Sequence, residues 1–168
     1  MWNPFRRKDK SESKPNLREL AYNVTPGELG LSPTSELPNV WGVIMDQGIP
    51  GGSATLVAFA EGTTSLYIGD RSGVIGAGRH ESVRQASLIL LRAAEGLINQ
   101  VPAVAVAAQT PIGQVRFVLR TYAGDRSVVV PAAALAGQMH PISPLFVYGQ
   151  EVITQIRLIS QAREHSTR

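Results

Sequence analysis

A glycine-rich stretch ahead of a helical pattern holds the residues that are best suited to bind a ligand. In GVIGAGRHES, Gly76 and Gly78 stand before the pattern, and Arg79 and Ser82 stand at its start. The first amides of a helix have no partners within it, so a cation and a hydroxyl beside them favour a bound phosphate or carboxylate. These residues form the predicted anion site. The alternative is that the glycines only permit a bulge or a tight corner between strand and helix.

Catalytic signatures are missing from the sequence. It has no GxSxG nucleophile elbow, no GK[ST] phosphate loop and no HExxH zinc motif. The glycine order GxxGxG also differs from the GxGxxG of dinucleotide-binding folds. His80, Glu81 and Ser82 supply the atoms of a hydrolytic triad, but adjacent residues at a helix start point in different directions. We therefore predict no catalytic residue, no metal ligand and no cofactor, and the sequence favours a protein that is not an enzyme.

One face of the predicted strand 114–122 is a candidate interaction surface. Apolar residues at its odd positions are expected to face the core, so the even positions face outward. Arginine and tyrosine dominate the energetic hot spots of protein interfaces. The predicted surface, for a protein partner or a second copy, consists of Arg116, Val118, Arg120 and Tyr122. The alternative is a solvated sheet face whose long side chains shield the valine.

The loop GIPGGS at 48–53 is a further candidate for ligand contact. Its residue types tolerate unusual backbone angles, and it connects two strand patterns. The loop gives no indication of which ligand would bind there.

The net charge of +3 belongs to the N-terminus. Residues 1–20 hold six Lys and Arg against three acids, and the remaining chain holds ten of each kind. A pI of 9.6 alone would suggest a nucleic-acid partner, but this partition argues against one. Aromatic and basic residues at the N-terminus suit an anionic membrane surface; the alternative is a solvated, disordered tail. The residues concerned are Trp2, Phe5, Arg6, Arg7 and Lys8.

Length and composition predict a single cytoplasmic domain. A chain of 168 residues can bury a sizeable core without disulfide bonds or structural metal ions. The absence of cysteine excludes disulfides and thiolate chemistry and fits a reducing compartment. No apolar run reaches the roughly 18 residues of a membrane span. We predict a basic, flexible tail over 1–24, a connector over 25–39 and one domain over 40–165.

Strand and helix patterns alternate through that domain. The segments 40–46 and 53–60 are apolar at both odd and even positions, as in strands that are covered on both faces. The segment 82–100 carries a wide apolar stripe typical of a helix that lies on a sheet, and a second main helix is predicted over 144–163. The sequence therefore predicts an α+β fold, an antiparallel sheet of about five to seven strands packed with two helices.

A short motif, YxGDRS, occurs at 67–72 and again at 122–127. Each copy ends one strand pattern, turns, and begins another that leads toward a helix. In the first copy, Asp70 at the first position of the turn and Gly73 at the fourth favour a type I turn. We interpret the copies as two similar hairpin turns; an internal duplication is the alternative.

In element order alone, these hairpins and helices around one sheet are similar to roadblock and profilin-like modules. The resemblance carries no site residue across, and it implies a scaffold that binds partners or dimerises. The leading hypothesis is a non-enzymatic cytoplasmic interaction or scaffold module, able to self-associate. One alternative is a small-ligand or phosphate-binding protein that uses the corner at 76–82, or an enzyme without a recognisable catalytic motif that uses the same corner. The other alternative is a peripheral membrane adaptor that uses the N-terminus.

Overall fold

The computed structural model describes residues 16–69, 72–105 and 109–167, with the backbone alone for Ser72. The strands are β1 (Val40–Ile49), β2 (Gly52–Phe59), β3 (Thr64–Ile68), β4 (Ser72–Val74), β5 (Gln114–Thr121) and β6 (Arg126–Pro131). The helices are α1 (Leu17–Asn23), α2 (Glu81–Gly96), α3 (Ala132–Ala136) and α4 (Ser143–Ser166). The strands form one six-stranded antiparallel sheet in the order β4–β3–β2–β1–β5–β6. The predicted α+β fold is confirmed.

The larger core lies on one face of the sheet, under α2 and α4. The apolar stripe predicted for 82–100 points into it, and Leu90 is completely buried. A 3₁₀ turn at 98–100 follows α2, so the helix is shorter than predicted. α4 begins at Ser143, with Pro144 in the first turn, where a missing N–H breaks no helical hydrogen bond. These two helices are the two main helices that the sequence indicates.

The other face of the sheet is covered by the N-terminal segment 16–31. Its core residues are Ala21, Trp41, Ile44, Val57, Phe59 and Val118. The prediction of a flexible tail over 1–24 is wrong from residue 16 onwards, because α1 is a packed helix on this face. Residues 1–15 lie outside the described ranges. The residues predicted to contact a membrane surface, Trp2, Phe5, Arg6, Arg7 and Lys8, lie outside them as well.

Both faces of β5 are covered, so the predicted exposure of its even positions is wrong. The alternation itself is as predicted, because the odd positions point into the larger core. Arg116, Val118 and Arg120 nevertheless are buried, and Tyr122 is half-buried. The physical reason is α1 and the segment after it, which occupy the face that the strand pattern leaves open.

Both YxGDRS segments fall at hairpin turns, between β3 and β4 and between β5 and β6. In the first, Asp70 and Arg71 lie outside the described residues. In the second, Gly124 has a φ of 117°, a backbone conformation that favours glycine. The apolar segment AVAVAA at 103–108 has the composition of a strand, but 103–105 form none, and 106–108 lie outside the described residues.

Candidate functional site

A buried carboxylate on β1 lies on the face of the sheet that α1 covers, and it accepts hydrogen bonds from three other residues. Asp46 is completely buried. Its Oδ1 accepts a hydrogen bond from Thr55 Oγ1 at 2.5 Å, and its Oδ2 accepts one from Thr110 Oγ1 at 2.7 Å. The guanidinium of Arg18, on α1, donates from Nη2 to the same Oδ2 at 2.6 Å. Burial alone would raise the pKa of Asp46, but the hydrogen bonds from these three residues outweigh it and lower the pKa.

Sheet register brings the polar residues of three strands together on this face. Asp46 lies opposite Thr55 on β2 and opposite Arg116 on β5. Arg116 is buried, and its Nη2 donates to the carbonyl of Gln109 at 2.5 Å. We call Arg18, Tyr22, Asp46, Thr55, Thr110 and Arg116 the Asp46 cluster.

Tyr22 brings an aromatic ring and a buried hydroxyl to the Asp46 cluster from α1. The guanidinium carbon of Arg18 lies 5.1 Å from the ring centroid. Burial, and after it the charge of Asp46, raise the pKa of Tyr22 to about 12. Tyr22 is therefore neutral at physiological pH, and Asp46 supplies the negative charge that the arginine faces.

Arg120 fastens the end of α1 to β5. Its Nη1 donates to the carbonyl of Ala21 at 2.8 Å, and its Nη2 donates to the carbonyl of Val24 at 2.9 Å. Carbonyls in the last turn of a helix lack partners inside it, so the guanidinium acts as a cap. Asp125 accepts from Nε at 2.8 Å, and the Trp41 ring lies 4.5 Å from the guanidinium carbon. The face predicted to bind a partner thus binds the chain's own N-terminal segment.

A polar cavity of about 520 Å³ opens at the end of the sheet, beside the β1–β2 turn. Its described lining residues are Asn16, Arg18, Ile49, Gly51, Gly52, Ser53, Gly69, Gln109, Thr110, Pro111 and Ile112. The lining includes part of the loop at 48–53 that the sequence singled out for ligand contact. Two members of the Asp46 cluster, Arg18 and Thr110, form part of the wall, so the cavity and the buried carboxylate belong to one site.

A second cavity, of about 350 Å³, lies between α1 and the strands β2 and β3. It is lined by Leu17, Leu20, Ala21, Asn23, Val24, Glu28, Leu29, Val57, Phe59, Thr63 and Tyr67. Most of these side chains are apolar. The side chains of Leu17 and Leu20 border this cavity and remain 48% and 47% exposed.

The glycine corner at 76–82 has a structural explanation. Gly76 has a φ of 68°, and a Cβ at Gly78 would collide with the carbonyl oxygen of Gly62. Both positions therefore favour glycine for backbone reasons, as the corner interpretation requires. Arg79 and Ser82 are exposed, and neither cavity described above is lined by any of the four predicted anion-site residues. Anion binding at this corner stays a prediction.

The atoms of the sequence triad do not come together. His80 Nε2 lies 3.0 Å from Arg163 Nη2 on α4. The Glu81 carboxylate accepts hydrogen bonds from Arg84 and from Gln85, on its own helix. Across the described ranges, no three His, Cys, Asp or Glu residues are placed to hold a metal ion. Within the same ranges, none of the helices combines the length and apolar character needed to span a bilayer.

Comparison with known proteins adds no family to this description. No protein-family model matches the sequence, and neither a curated protein nor a solved structure matches the chain. The site is therefore interpreted from its own geometry.

The sequence interpretation missed Arg18, Asp46, Thr55 and Thr110. Two signals for them were available. Asp46 is the one charged residue in the strand pattern 40–46, which is otherwise apolar on both faces, and a buried charge requires a partner. Asn16 stands as an N-cap before Leu17 and Leu20, and its side chain accepts from the Arg18 backbone amide.

Proposed function

We propose that this protein is a non-enzymatic interaction module that binds a second copy of itself through the surface between α1 and β3. The observation that carries the proposal is the coexistence of protruding leucines and an apolar cavity on one surface. A two-fold interface uses the same patch on both copies, so the patch must fit itself. We call the two leucines and the cavity beside them, lined by Val57, Phe59 and Tyr67, the α1 patch.

The leucines provide the protruding part of the α1 patch. Leu17 and Leu20 are separated by three positions, so they are neighbours on the helix surface. α1 buries Ala21 against the sheet and leaves about half of each leucine side chain in solvent. Two adjacent, half-exposed leucines form an apolar surface that a partner could cover.

The cavity provides the complementary part. Val57, Phe59 and Tyr67 form an apolar wall, while Asn23, Glu28 and Thr63 supply polar groups to the lining. Protein interfaces combine an apolar centre with a polar rim in this way. A volume of about 350 Å³ is large enough to accept leucine side chains from a second copy.

α1 is held rigidly enough to present these leucines. The Arg18–Asp46 ion pair fixes its first turn, and Arg120 holds the carbonyls at its end. Ordering a helix during binding would oppose association, and here the order is already established. The polar anchors under α1 therefore serve the apolar surface above it.

Sedimentation velocity of the full chain tests this function. We expect a concentration-dependent mass between about 1 µM and about 1 mM, the range of weak to moderate dimers. Leu20→Glu places a charge in the α1 patch and should weaken the dimer by well over tenfold, about 1.4 kcal/mol or more. Leu158→Glu is the matched control, because this residue is 53% exposed on α4, away from the patch.

Two results would count against the proposal. A wild-type chain that stays monomeric over the whole range would exclude self-association. A dimer that survives Leu20→Glu but dissociates with Leu158→Glu would place the interface on the helical side of the sheet.

A further inference from the structure

We infer that the polar cavity at the end of the sheet binds a small anion, a carboxylate or phosphate compound, with Arg18 as the residue that meets its charge. This site is separate from the glycine corner at 76–82 and from the α1 patch. It is carried by the charge of the lining, by the hydrogen-bond donors of Arg18 and by the size of the cavity.

The charge of the lining favours an anion. Among the described residues that line the cavity, Arg18 is charged and none is an acid. The carboxylate of Asp46 lies behind this wall and is completely buried, so a ligand in the cavity would meet the guanidinium and not the acid. Arg18 and Asp46 form a neutral pair, but only the guanidinium reaches the cavity wall, so an anion there would meet its donors and no carboxylate.

Some N–H groups of the Arg18 guanidinium remain available to a ligand. Its Nε donates to Thr55 Oγ1 at 3.1 Å and its Nη2 donates to Asp46 at 2.6 Å. A guanidinium carries five N–H donors, so these two bonds and the neighbouring Tyr22 hydroxyl still leave others for a ligand. The same two bonds fix the orientation of the guanidinium, which a carboxylate or phosphate can then meet without further ordering.

Neutral polar groups complete the lining. Ser53 contributes a hydroxyl, and Gln109 contributes a side-chain amide that can donate to an anion. Thr110 directs its hydroxyl hydrogen to Asp46, so its oxygen remains an acceptor for a ligand hydroxyl. One cation with several neutral polar groups suits a small hydroxylated acid or phosphate ester.

Size and wall structure agree with a small ligand. The volume of about 520 Å³ lies within the roughly 300–1,000 Å³ typical of small-molecule sites. Gly51 and Gly52 form part of the wall and place no side chain in the cavity. Gly51 has a φ of 80°, so a side chain is disfavoured at that position.

Backbone NMR titration of the full chain tests the site with defined probes. The probes are inorganic phosphate and succinate, each compared with chloride at equal ionic strength to remove general salt effects. We expect saturable shifts at the amides of Gly52, Ser53 and Thr110 with at least one probe. If phosphate alone produces them, the ligand is a phosphate compound; if succinate alone does so, it is a carboxylate.

Two variants locate the binding. Ser53→Leu fills the cavity without removing the Arg18–Asp46 pair, and it should raise the Kd of the bound probe by about tenfold or more. Arg79→Ala alters the glycine corner and should leave that Kd unchanged. The NMR spectrum of each variant reports whether it is folded. If Ser53→Leu does not fold, Arg18→Lys is the second test: it keeps the positive charge but loses the planar guanidinium, and it should also raise the Kd of the bound probe.

The inference is overturned by either of two results. One is the absence of saturable shifts at the cavity with both probes. The other is probe binding that Arg79→Ala abolishes and Ser53→Leu leaves intact, which would place the anion at the glycine corner. Neither result depends on the mass of the particle in sedimentation, so this site and the proposed self-association can fail separately.

Discussion

The Nη2 atom of Arg18 lies 2.6 Å from Oδ2 of Asp46, and this ion pair joins the N-terminal helix to the centre of the sheet. The carboxylate is fully buried, while 22% of the arginine side chain is exposed. A buried carboxylate is stable only with such partners, since desolvation of an unpaired charge is costly. The position of α1, and with it the α1 patch, therefore depends on this contact.

Removal of one partner should strongly destabilise the protein. Arg18→Met leaves the buried Asp46 without its ion-pair partner, and should lower the free energy of unfolding by about 3–5 kcal/mol. Arg92→Met is the control, because Arg92 pairs with Glu36 in solvent and should cost less than about 1 kcal/mol. Urea unfolding of both variants measures the difference. Equal costs would show that the Arg18–Asp46 pair contributes no more than a surface pair.

The same carboxylate predicts a pH dependence. Its pKa is lowered in the folded state, so the unfolded state binds the proton more readily, and folding is favoured above the unfolded pKa of about 3.9. This stability should be lost as the pH falls from that value through the lower folded pKa. Wild type should therefore lose more free energy of unfolding between neutral and acid pH than Asp46→Asn, which has no proton to bind. Parallel curves for the two proteins would contradict the assigned pKa direction.

Placing a charge under α1 should unfold the protein. Val118 is completely buried on β5, so Val118→Glu places a carboxylate in an apolar site. It should lower the free energy of unfolding by more than about 3 kcal/mol. Val129→Glu on the adjacent strand β6 is the comparison, since Val129 is 41% exposed. Circular dichroism during thermal unfolding separates the two. A Val118→Glu variant with wild-type stability would show that α1 does not cover this face in solution.

The truncation point should matter more than the number of residues removed. Removing residues 1–15 leaves every contact described for α1 in place, whereas removing 1–20 deletes Arg18 and the first turns of the helix. The longer truncation should lose about 3 kcal/mol or more relative to the shorter one. Urea unfolding of the two truncated chains provides the comparison. Equal stabilities would indicate that α1 does not contribute to the folded domain.

Periodic patterns predicted the parts of this fold that depend on local sequence. The apolar stripe of α2 placed Leu90 inside, and alternation along β5 placed Phe117 in the same core. Each pattern extends over enough residues to identify its own element. The antiparallel sheet follows from the strands and the hairpin turns between them.

The position of α1 could not be predicted from the same kind of signal. A seven-residue helix is too short to be stable alone and owes its order to tertiary contacts. Those contacts are distant in sequence, as in Arg18 with Asp46 and Arg120 with Ala21. Arg120 therefore resembled an outward-facing interface residue, because the partner that covers it lies at the other end of the chain.

The most direct measurement of the central claim is an isotope-filtered NOE experiment on a mixture of labelled and unlabelled full-length chains. It detects contacts between copies and excludes those within one copy. Self-association through the α1 patch predicts intermolecular NOEs from the Leu20 methyl groups to the Val57 methyl groups and the Tyr67 ring. Intermolecular NOEs confined to Val147 and Leu158, exposed on α4, would contradict this account, as would none at a concentration where the protein is dimeric.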